Sequence, residues 1–246
     1  MRSGACTCVP AWARKESQSD SLFFCEGVCK AMNKEWSERN KSMQSLLKKN
    51  TFSDGIAELI ELRSILMNEI RSWRSLPSDT FSAIPYINAE GYHSKTVAYS
   101  IWHIFRIEDI VVNSLIRENE EVLFSGDYVK KMKATIITTG NELKGMEIAE
   151  FSKKLDIDVL YAYIEKVKES TDEWIQTLSY ESLKKSFDDE DKERIRKLDV
   201  VSNDEDAIWL IDYWCSKDIK GLIKMPLSRH WIMHIEAALR IIKKVA

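Results

Sequence analysis

The sequence predicts an all-α protein, a four-helix bundle with extra short helices in its connections. Three observations carry that expectation. Four long segments repeat apolar residues at three- and four-residue steps. Glycine (8) and proline (4) are scarce in a chain of 246 residues, which disfavours a fold of many strands and turns. Apolar residues make up 44% and charged residues 30%, so each helix can bury one stripe and solvate the other face. Four such helices cover their stripes most economically by packing on one another.

The first helix is expected over about 53–75. Ser53 or Asp54 can cap it, and Ile56, Leu59, Ile60, Arg63, Met67, Ile70 and Arg74 recur on one side before Pro77. The second runs over about 94–119, with a stripe of Val97, Ile101, Ile104, Ile107, Val111 and Leu115 that Tyr99, His103 and Ile110 widen. The third covers about 156–179, where Asp156 and Asp158 suit the positive N-terminal end. The fourth runs from Pro226 to about Val245, proline being favoured in a first turn. Its stripe is Leu227, His230, Trp231, His234, Ala238, Ile241 or Ile242, and Val245. Between these, 126–145 predicts a short helix and then a loop, 188–198 a charged turn or helix, and 203–222 another short helix.

The formal net charge of −3 argues against nucleic-acid or anionic-membrane binding, which favour basic surfaces. No apolar run reaches the roughly 18 residues of a membrane span, and the N-terminus has no basic-then-apolar signal pattern. The expectation is a cytoplasmic protein. Four of the five cysteines, Cys6, Cys8, Cys25 and Cys29, fall in residues 1–31. Their C-x-C and C-x3-C spacings are not those of common zinc modules. Residues 1–31 are therefore read as an extension, disordered or not native, and 32–246 as one domain. Met32 opens a stretch whose composition matches the rest of the chain.

The chain has four histidines, and two of them lie in SRHWIMH near the C-terminus. His230 and His234 are one helical turn apart and share the apolar face of the fourth helix. His103, in SIWHIFRIED, lies on the widened stripe of the second. Two inward imidazoles on one helix and a third on a partner can form a three-nitrogen metal site, with a position left open for water or substrate. Three buried, hydrogen-bonded core histidines would show the same pattern. His93 precedes the second helix and is expected at the surface or at a pocket rim.

An N-terminal amphipathic helix, a histidine in YSIWHIFRIED and the H-x3-H of RHWIMHIEAALR together resemble the DinB-like superfamily, which includes bacillithiol- and mycothiol-dependent transferases. The resemblance spans about 52–245. It implies a four-helix bundle, often a homodimer, and a divalent metal, commonly Zn or Ni, on His103, His230 and His234. It further implies a small-molecule substrate, with a low-molecular-weight thiol activated for transfer, or a hydrolysis. The segment at about 184–221 is long for such a protein and reads as an insertion. A non-catalytic helical protein with a structural or vestigial metal site is the alternative.

Other candidates are weaker. Glu108 and Asp109 lie off the His103 face and are expected to be solvated acids. Arg106 and Arg229 flank the site and are expected in surface ion pairs. Asp212 and Tyr213, with Trp209 and Trp214, can line a pocket on the inserted segment. Cys215 has no histidine near it in sequence, and free cysteines are usually buried small hydrophobes. There is no G-x-S-x-G, no glycine-rich phosphate loop and no E-x-x-H pair.

Overall fold

A computed structural model describes residues 34–245. The 1–31 extension and its four cysteines lie outside them. The all-α expectation holds: among the described residues there is no strand. No helix there is long and apolar enough to cross a membrane.

The first helix in the structure, α1 (34–46), has no counterpart among the predicted elements. Its signal is short but regular: Trp36, Asn40, Met43 and Leu47 step by four, three and four residues, and all are buried. Helix α2 (Phe52–Ser72) follows, ending in a 3-10 turn at Trp73–Ser75. Its cap position is Thr51 rather than Ser53 or Asp54, and no side chain caps it. Its buried face includes Leu62 and Leu66, whereas Arg74 is exposed and pairs with Asp158. The stripe is thus rotated slightly from the predicted one.

Short α3 (Ser78–Ser82) leads to α4 (Val97–Asp109), capped by Thr96, whose hydroxyl oxygen accepts from the Tyr99 N–H at 3.0 Å. Every residue of α4 is buried. The helix then widens into a π-helical segment, Ile110–Ile116. Two single-turn helices, α5 (Val122–Ser125) and α6 (Tyr128–Met132), precede α7 (Met146–Lys154). Helix α8 (Ile157–Gln176) matches its prediction, with Asp156 as the N-cap.

The segment at about 184–221 folds as α9 (Asp189–Lys197) and α10 (Glu205–Cys215), and then α11 (Ile219–Lys224) begins. What reads in sequence as one short helix at 203–222 is two, because Asp218 caps a new start by accepting from the Gly221 N–H at 2.7 Å. A π-helical turn, Met225–Arg229, joins α11 to α12 (His230–Val245).

Helix α4 packs on α8 and α12, and α2 packs on the same two. The four long helices therefore contact one another in a closed ring. Two apolar clusters form. One joins Leu62, Trp102, Phe105, Ile164 and Trp231; the other joins Leu59, Ile110, Val111, Leu210, Trp214 and Leu227. Arg63 of α2 ties the ring together. Its guanidinium donates twice to Glu108 of α4 (2.7 and 2.8 Å), once to Asp172 of α8 (2.7 Å) and once to the Leu227 carbonyl (3.2 Å). Trp231 of α12 stacks under Arg63 at 4.7 Å and donates its indole N–H to Glu108 at 2.9 Å.

Candidate metal centre

The three predicted ligands converge. The ring centroids of His103 and His230 are 5.0 Å apart, those of His103 and His234 4.6 Å, and those of His230 and His234 4.5 Å. One ligand nitrogen from each lies within 4.8 Å of the others. Among the described residues no fourth histidine, cysteine or carboxylate joins them. His93 is not part of the group: its ring lies against Tyr92 at 4.1 Å, and its Nδ1 is 3.0 Å from Arg240.

The chain positions His103 by a ladder of side chains on α4. Tyr99, Trp102, His103 and Arg106 share one face at i, i+3, i+4 and i+7. Each donates to a backbone carbonyl of the loop that crosses it: Tyr99 to Gly140 (3.0 Å), Trp102 to Thr138 (3.1 Å), His103 to Thr139 (2.8 Å) and Arg106 to Ile137 (2.6 Å). A carbonyl can only accept, so the His103 proton sits on Nδ1. That leaves Nε2 as a lone-pair donor in fixed orientation. Gly140 has φ +82°, and a Cβ there would meet the Tyr99 ring at 2.9 Å. Sequence reasoning passed over Thr139 and Gly140; the only local signal was the glycine.

The other two ligands are aimed by the π-helical turn. Pro226 has no N–H to continue an α-helical ladder, and the His230 N–H bonds five residues back to Met225. Such one-residue expansions often mark functional positions. The α-helix therefore begins at His230 rather than Pro226, and from there His230, Trp231, His234, Ala238 and Ile241 are buried as predicted. Val245 is exposed.

Burial governs the electrostatics. It pushes the His103 imidazole down to about 4, against the Thr139 hydrogen bond and with help from the Lys95 ammonium. Burial also holds His230 and His234 well below the ordinary histidine range, the neighbouring imidazoles adding to the effect. All three rings are neutral near pH 7, the state a metal requires. The Nδ1 atoms of His230 and His234 are buried without a hydrogen-bond partner in the protein. Buried polar atoms without partners are costly, and a cation coordinated through them would answer that cost. The donor set fits a divalent ion that accepts imidazole.

The triad opens onto a cavity of about 680 Å³. Tyr92, Lys95 and Tyr99 line it from the α4 side, and Trp209, Leu210, Tyr213 and Trp214 line it from α10. The expected aromatic wall is therefore present. Asp212 is not part of it: this residue is exposed and pairs with Lys192 at 3.3 Å.

Two other expectations are corrected. Glu108 and Asp109 are fully buried rather than solvated. Glu108 binds Arg63, and Asp109 accepts from the Val122 N–H (2.9 Å), the Leu123 N–H (3.0 Å), Asn113 (2.8 Å) and the Tyr163 hydroxyl (3.0 Å). Arg106 is not at the surface but buried in an ion pair with Glu121. Cys215 is buried, as expected, and burial raises its thiol to about 11, which disfavours the thiolate a nucleophile needs.

No protein-family model matches the chain, and no curated protein matches it.

Proposed function

We propose that the protein is a divalent-metal-dependent enzyme of the DinB-like type, acting on a small molecule at the His103, His230 and His234 site. One observation carries this reading: three neutral imidazoles from two helices meet at the wall of a large cavity, with no fourth protein ligand among the described residues. Structural sites are normally closed by four protein ligands, whereas catalytic sites keep a position open. The ring of contacts among α2, α4, α8 and α12 supports the bundle that the resemblance implies.

A Zn or Ni ion there would supply Lewis acidity, lowering the pKa of a thiol or water that reaches it. The chain's own part is orientation and exclusion of water. Thr139 fixes the His103 tautomer, and the aromatic side chains of α10 cover the approach. Thiol transfer and hydrolysis are both within this chemistry. A homodimer in the cytoplasm belongs to the same proposal.

The test is metal analysis of protein purified without a histidine tag. Close to one equivalent of a divalent metal is expected, and His234→Ala should remove it. If the wild-type protein carries no stoichiometric metal and takes none up, the reading fails.

A further inference from the structure

The geometry points to a substrate with a flat apolar body and one carboxylate, the carboxylate being held by Lys95. This deepens the proposed function and rests on it in one respect, that the cavity beside the triad is the substrate site.

The walls set the body. Tyr92, Tyr99, Trp209, Tyr213 and Trp214 all face this space, and Leu210 adds to them. Trp209 and Tyr213 meet edge to face at 5.6 Å, and Trp209 is 48% exposed. A half-exposed tryptophan at a cavity wall is apolar area that a planar guest can cover.

The charges set the head group. Three charged side chains line the cavity: Lys95, Lys144 and Asp206. Lys144 and Asp206 satisfy each other at 2.8 Å. Lys95 makes no hydrogen bond or ion pair among the described residues; its ammonium lies 4.9 Å over the Tyr99 ring, and that ring stacks on His103 at 5.4 Å. The ammonium is partly buried, and burial lowers its pKa, with Asp206 opposing only in part. A partly desolvated cation without an ion-pair contact of its own is a place for a ligand anion. One ammonium balances one negative charge. A phosphate dianion would bring a second negative charge, and the other cation of the lining, Lys144, is already paired with Asp206. The match is a carboxylate.

Calorimetry on the full chain tests this with two probes, 2-naphthylacetate and its neutral amide, each titrated into zinc-loaded and chelated protein. In the chelated protein the acid should bind at least about tenfold more tightly than the amide, the scale of one charge-assisted hydrogen bond. Lys95→Met should erase the preference, Lys95→Arg should restore much of it, and Trp209→Ala should weaken both probes. Unchanged thermal melts would show that the variants fold. The inference is overturned if neither probe binds, if both bind alike, or if the acid's preference survives Lys95→Met. A preference seen only with zinc and indifferent to Lys95 also overturns it, since the carboxylate then sits on the metal. Because the deciding arm is metal-free, a Lys95-dependent preference in a protein that takes up no metal would sink the metalloenzyme and leave this inference standing.

Discussion

His103 donates from one ring nitrogen to the Thr139 carbonyl, and that carbonyl depends on a neighbour that only glycine suits. Gly140→Ala would place a methyl group at φ +82° and 2.9 Å from the Tyr99 ring. The loop must shift, and Thr139 with it. The expected result is zinc affinity weaker by about 10–100-fold, the usual scale for losing a ligand's supporting hydrogen bond. Competition against a chromophoric chelator measures it; an unchanged affinity would mean that Thr139 does not orient the ring. The triad also makes the metal-free protein sensitive to acid. Histidine titrates near 6.5 in an unfolded chain, and His103 near 4 in this fold. Between those values the unfolded chain binds more protons, so stability is full above about 6.5 and falls as pH drops toward 4. Thermal melts in chelator should decline through that window, and less steeply for His103→Gln. A level wild-type profile would contradict neutral buried rings. These three histidines were legible in the sequence because each stands on an apolar stripe. Glu108, Asp109 and Arg106 were not, since charge alone suggests solvent. Their partners lie elsewhere in the chain: Arg63 is 45 residues from Glu108, and Glu121 is 15 from Arg106.

At the scale of elements, periodicity located the long helices well, and local chemistry set their ends. Asp156, Asp188 and Asp204 each cap a helix through the side chain. Helix α1 escaped because its stripe is only four residues long. The π-helical turns escaped because an apolar pattern does not reveal a one-residue expansion of the backbone. Arg63 joined the predicted stripe of α2 as an oddity, and its position explains it: a fully buried guanidinium that bridges all four long helices. Glu108→Leu removes one partner and leaves Arg63 undercompensated. Breaking a buried pair this way costs about 3–5 kcal/mol, a fall in Tm of roughly 6–20 °C for a chain of this size. Arg63→Met with Glu108→Leu should be less damaging than Glu108→Leu alone. No buried arginine is then left unmatched, and Asp172 keeps its ion pair with Lys168. Differential scanning calorimetry of the two variants decides it. A double variant at least as unstable as Glu108→Leu alone would refute the charge-balance account.

Across the whole molecule, the site lies where the two apolar clusters meet. His103 follows Trp102 of the first cluster, and Ile107 of the second is one turn further along α4. The cavity takes Tyr99 and Ile148 from one cluster and Leu210 and Trp214 from the other. Its far wall comes from the segment that reads as an insertion, about 100 residues beyond α4. A sequence pattern cannot say across which gap a short helix will face, so the histidines and the aromatic wall were legible separately, and their meeting at one cavity was not. The arrangement has a thermodynamic consequence. An ion held by His103 on α4 and by His230 and His234 on α12 joins helices that the unfolded chain does not bring together, so it binds the native state preferentially. Stabilisation then follows mass action: about 2.7 kcal/mol when free zinc reaches 100 times its dissociation constant. That corresponds to a rise in Tm of roughly 5–11 °C. The rise should grow with the logarithm of free zinc, persist in Lys95→Met and vanish in His234→Ala. Zinc that stabilises His234→Ala as much as the wild type must be binding somewhere else, and the link between α4 and α12 would then have no part in holding it.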